Sequence, residues 1–129
     1  MLQNSDVIET DVHRFQLIDG ILHAYAKPLN PSIEELKNSL DVMQELAQGN
    51  KLLILMDPSD AIGLNQKQRA LVVERFSELA GAVAIINNNF IVPLVYRLMV
   101  KRWKEFPFEM ELFKNKEEAL EWLKTFKEK

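Results

Sequence analysis

Phe106-Pro-Phe-Glu-Met-Glu-Leu-Phe-Lys-Asn-Lys-Glu-Glu-Ala-Leu-Glu-Trp-Leu123 holds a strand, a turn, a helix start and an aromatic anchor in one run. Phe108, Met110 and Leu112 alternate with Glu109 and Glu111, the period of a strand with one face in water. Asn115-Lys-Glu-Glu118 then has the spacing of a helix cap, in which the first side chain accepts from a free amide and the fourth reaches back. Ala119, Leu120, Leu123 and Phe126 supply the inner stripe of that helix, with Trp122 pinning the corner. An edge strand followed directly by a covering helix is the closing unit of an α/β layer.

Upstream of this unit the pattern repeats in a more buried form. Leu52 to Met56 and Ala82 to Ile86 are apolar without polar alternation, as strands covered on both faces are. Each follows a helical pattern. Ser32-Ile-Glu-Glu35 is a capping box ahead of Ile33, Leu36, Leu40, Met43 and Leu46, with Gly49-Asn50 as the stop. Asn65-Gln-Lys-Gln68 opens a second helix carrying Val72, Val73, Phe76, Leu79 and Ala80 inward, with Gly81 as its expected end. Phe90 to Trp103 reads as a third helix, with Pro93 tolerated in its first turn. At the start of the chain, Val12 to Ile18 and Ile21 to Ala26 flank Asp19-Gly20, a two-residue hairpin turn. The first residues are polar and expected to fray. The order is ββαβαβαβα, an α/β fold with a mixed sheet of four or five strands and its helices mainly on one side. One domain spanning residues 1–129 is expected, with an ordered core of about 8–127.

Composition narrows the classes of function. The chain of 129 residues has a net charge of −3, which disfavours a general nucleic-acid binder. It has no cysteine, hence no disulfide framework and no thiolate chemistry. No apolar stretch reaches the ~20 residues of a membrane-spanning helix, and the N-terminus lacks the pattern of a secretory signal. A cytoplasmic location is the expectation.

The element order and three local motifs resemble the STAS domain, and within it the SpoIIAA-like (STAS/SEC14-like) branch of small stand-alone bacterial proteins. The motifs are Leu53-Ile-Leu-Met-Asp57; Ala82 to Ile86 followed by Pro93-Leu-Val-Tyr-Arg97; and Phe106-Pro-Phe108 with Leu112-Phe113 and Glu118-Ala-Leu-Glu-Trp-Leu123. The resemblance runs from about Val12 to Phe126 and implies the fold of anti-sigma-factor antagonists. Those proteins carry a phosphorylated serine or threonine at the start of the helix after the central strand. Here Gly63-Leu64-Asn65-Gln66 stands at that point without a hydroxyl, and Ser59 lies earlier in the loop.

Asp57 ends a central strand where open α/β sheets place ligands, though an Asx turn capping its own loop is the commoner role of an aspartate there. Asn87, in Asn87-Asn88-Asn89, offers amide groups at the same sheet end, though turn geometry alone accounts for asparagine there. His13 and His23 are expected at the surface. The helix from Phe90 to Trp103 is apolar nearly all round, beyond what one core-facing stripe needs, and ends in Arg97, Lys101, Arg102 and Lys104. The expected binding surface is therefore Phe90, Leu94, Leu98, Arg97 and Arg102, with Asp57, Ser59, Asn65 and Asn87 of the neighbouring loops. The expected role is a non-enzymatic regulatory module that recognises a protein partner. The alternative is a carrier or sensor of a small apolar, lipid-like ligand with the 90–104 helix as lid. A homodimer contact through the same helix and peripheral contact with an anionic membrane surface are further uses, and full burial would account for the helix without any function. No catalytic residue, metal ligand or cofactor is indicated.

Overall fold

The computed structural model describes residues 6–26, 31–57, 65–86 and 108–127. Among these residues six strands form one sheet: β1 (Ile8–Glu9), β2 (His13–Ile18), β3 (Ile21–Ala26), β4 (Leu52–Asp57), β5 (Ala80–Ile86) and β6 (Glu109–Phe113). Three helices accompany them among the described residues: α1 (Ile33–Ala47), α2 (Gln66–Leu79) and α3 (Lys116–Lys127). The sheet is mixed. β1, β2 and β3 pair antiparallel, and β3 through β6 pair parallel.

The hairpin forms because Asp19 and Gly20 both take positive φ, 52° and 79°, as the type I′ turn requires. Its register places His13 opposite Ala26, Arg14 opposite Tyr25 and Gln16 opposite His23. The capping box of α1 is complete: Ser32 Oγ accepts from the Glu35 amide, and Glu35 accepts from the Ser32 amide. The helix closes at Gln48 and Gly49, both left-handed. Its buried stripe is Leu36, Leu40, Met43 and Ala47, with Ser39 among them. Ile33, expected to head that stripe, is 44% exposed, so the first turn stands clear of the core.

Three features differ from the expectation. β1 adds a sixth strand: its two residues are too few to show a period, but Ile8 meets Phe15 and Glu9 meets Arg14 across the pair. α2 passes into β5 without a loop, so Ala80 and Gly81 are strand residues rather than a helix end. The helices also divide between the two faces. α1 and α2 cover the face built on Phe15, Leu22, Ile54 and Val83, whereas Ala119 and Leu123 of α3 pack on Ile21, Leu55, Ala82 and Ala84 of the other. Alternation along β4 and β5 feeds both cores, which is why both strands read as unbroken apolar runs.

α3 reaches only part of its face. Its main contacts fall on β5, β4 and β6, and it reaches β3 only at Ile21. Phe113 on the edge strand and Phe126 on the helix hold Trp122 between them, at ring separations of 5.6 and 4.8 Å. Beyond Ile21, which α3 covers, the same face of β1, β2 and β3 has no covering element among the described residues.

Candidate functional site

The uncovered part of the second face is a shallow groove beside the start of α3. It encloses about 200 Å³ and is lined by Val7, Arg14, Gln16, Ile18, His23, Tyr25, Leu55, Asp57 and Lys116 among others. Strand alternation explains the lining. Arg14, Gln16 and Ile18 of β2 share a face with Ile21, His23 and Tyr25 of β3 and with Leu53, Leu55 and Asp57 of β4. Two transverse rows result: Gln16, His23 and Leu55 cross the floor, and Arg14, Tyr25 and Asp57 cross nearer the carboxyl end of β4. With strands ~4.8 Å apart, the second row spans about 10 Å from guanidinium-bearing to carboxylate-bearing position.

The electrostatics of the groove are mixed. Arg14 Nε donates to Glu9 Oε1 at 3.1 Å, an exposed pair on the sheet edge, worth little to stability in water. His23 is held below its ordinary value, first by partial burial and then by the Lys116 ammonium, with Asp19 opposing. It is therefore a neutral imidazole at pH 7, able both to donate and to accept. Tyr25, at the centre of its row, is 46% exposed. That is a large aromatic surface to leave in water on a face flanked by charged groups.

Among the described residues, Asp57 is the expected site residue that lies in this groove, as the last residue of β4 and opposite Tyr25. Asn65 is the N-cap of α2. Its Oδ1 accepts from the Gln68 amide at 2.8 Å, and Gln68 Oε1 accepts from the Asn65 amide at 3.0 Å. Its oxygen is thus engaged in starting the helix. Ser59, Asn87, Phe90, Leu94, Arg97, Leu98 and Arg102 lie outside the described residues, as does the whole segment 90–104 for which a helix is expected.

The histidines separate into two environments, and the surface reading of His13 is corrected. His13 is 3% exposed, on the opposite face from the groove. Its Nδ1 lies 2.7 Å from Ser39 Oγ, and Ser39 Oγ lies 2.7 Å from Thr10 Oγ1. Spacing along the sequence could not reveal this, because Ser39 is brought in from α1. The groove residues, by contrast, were within reach of the sequence. The Asp19-Gly20 turn fixes which residues of β2 and β3 share a face, and that face holds Arg14, Gln16, His23 and Tyr25 together.

Among the described residues, no group of three or more His, Asp or Glu side chains is arranged to hold a metal ion, and no helix is long and apolar enough to cross a membrane. A family model described as "Domain of unknown function (DUF7793)" matches residues 15–127. That is most of the chain, and the protein belongs to this family. No curated protein and no solved structure matches it.

Proposed function

We propose that this member of the DUF7793 family is a non-enzymatic binding module of the STAS-like type that recognises a protein partner. The recognition surface is the open part of the second sheet face together with the carboxyl end of β4. The observation that carries this reading is the row Arg14, Tyr25, Asp57, uncovered by α3 and centred on an exposed aromatic ring. A protein segment crossing the strands along this row meets a cation, an aromatic face and an acid in turn, so a complementary segment presents an acid, an apolar side chain and a base. Exposed tyrosine and arginine are enriched at such contacts. The strand ending in Asp57, the succession of strands and helices, and the Glu109 to Leu123 clasp support the STAS-like assignment.

A photo-crosslinking residue in place of Tyr25 tests this in the producing cell. The expected result is one defined adduct, which disappears when Asp57→Lys reverses the charge at the end of the row while the circular dichroism spectrum stays unchanged. An adduct insensitive to Asp57→Lys, or no adduct, overturns the reading. Native mass spectrometry of protein purified without detergent addresses the carrier alternative: a co-purifying lipid mass would favour it over a protein partner.

A further inference from the structure

The buried cluster on the other face of β2 has no part in the groove. Thr10, in the link between β1 and β2, accepts from the amides of Val12 and His13 at 3.2 and 2.9 Å and lies 3.3 Å from the His13 carbonyl. Its hydroxyl meets Ser39 Oγ, which in turn meets His13 Nδ1. One proton arrangement gives every donor an acceptor. Nδ1–H donates to Ser39, the Ser39 hydroxyl donates to Thr10, and the Thr10 hydroxyl donates to the His13 carbonyl. This tautomer leaves Nε2 as a bare lone pair, and Nε2 is indeed buried without a hydrogen-bond partner. An unpaired acceptor is the less costly way to leave such a nitrogen.

We propose that Thr10, Ser39 and His13 form a latch that holds strand β1 and the β1–β2 link against α1, and that protonating the His13 ring opens it. A second proton must go to Nε2, where an N–H would point into the core without an acceptor. Among the described residues, no charged side chain of the packing elements offsets it. α1 turns Leu36, Ser39, Leu40 and Met43 inward, and Phe15 stacks on the ring at 5.1 Å. Glu9 and Arg14 bond each other on the opposite face, and Asp11 is exposed. Burial alone lowers His13 from 6.5 to about 4. Opening lets the ring charge in water, and frees the short β1, whose neighbour Val7 forms one wall of the groove. Acid thereby bares the β2 edge and widens the groove, whatever ligand the groove takes.

Hydrogen exchange of the whole protein at pH 7 and pH 5, corrected for intrinsic rates, tests the latch. If the open form has an ordinary histidine, linkage makes opening about 20-fold more frequent at pH 5 than at pH 7. The expected result is that fall in protection confined to amides of residues 8–13, with β4 and β5 unchanged. Ser39→Ala should lower protection of the same amides at both pH values, and His13→Asn should remove the pH dependence. The wild-type measurement decides by itself if either variant fails to fold. Protection of residues 8–13 that is independent of pH, or that falls in parallel with β4 and β5, overturns the proposal.

Discussion

Gln68→Glu replaces one amide nitrogen by oxygen in the α2 cap and should cost about 3 kcal/mol at pH 7.5. Gln68 is 5% exposed and serves two backbone groups at once. Its Oε1 accepts from the Asn65 amide at 3.0 Å, and its Nε2 donates to the Pro31 carbonyl at 2.7 Å. Glutamate keeps the first bond and loses the second. The Pro31 carbonyl, buried at the entry to α1, then faces a carboxylate oxygen instead of an N–H. Leaving it unsatisfied costs about 1–3 kcal/mol, and the buried charge adds to that. A penalty of 3 kcal/mol on the ionised form raises the folded carboxyl by about two pH units, to roughly 6.5 against about 4.3 when unfolded.

The sign follows from linkage. A folded-state pKa above the unfolded value means the folded state binds the extra proton, so the variant recovers as pH falls. The protonated carboxyl also restores a donor to Pro31. Urea denaturation followed by circular dichroism, at pH 7.5 and 4.5, measures wild type against variant, and the difference cancels groups such as His13 that both share. The deficit should shrink to below about 1 kcal/mol at pH 4.5. A deficit under about 0.5 kcal/mol at pH 7.5, or one equal at both pH values, would refute the reasoning.

Leu123→Ala should destabilise by about 3 kcal/mol, because its fully buried side chain joins α3 to Ile21, Leu55 and Ala84 and would leave a cavity; a urea shift worth less than about 1 kcal/mol would mean that α3 does not seal this core. Lys116→Gln should move His23 up toward its ordinary value in an NMR titration, since burial and the Lys116 ammonium are what hold it down. An unmoved titration would mean that Lys116 does not face His23 across the groove.

Local chemistry made much of the architecture readable. Ser32 with Glu35 and Asn65 with Gln68 are reciprocal caps whose spacing carries its own mechanism, and both helices start there. Asp19-Gly20 fixed a turn and, through it, a register. The runs in β4 and β5 were legible because burial on two faces removes polar alternation. What escaped depended on partners distant in the chain. His13 looks like any strand histidine until Ser39, 26 residues later, takes its Nδ1. The side chosen by α3 depends on Ala82, Ala84 and Ala119, small residues that let helix and sheet meet closely. Their message is visible only once the strand faces are assigned. Asp57 was recognised as a strand-end acid, whereas its companions Arg14, Tyr25 and Lys116 needed three other elements to be brought beside it. Gly81 read as a helix stop because glycine often ends helices, but here β5 has already begun.

The strands lie across the sheet in the same order as along the chain, β1 through β6. Each strand emerging during synthesis therefore meets an edge that its predecessor has just completed, and none must be inserted between two already paired. The sheet can grow in one direction, from the Asp19-Gly20 hairpin outward. Shortening from the carboxyl end would peel away β6 and α3 first, leaving every earlier strand pair with both its members. Loss of the hairpin would instead strip β4 of the strand against which it docks.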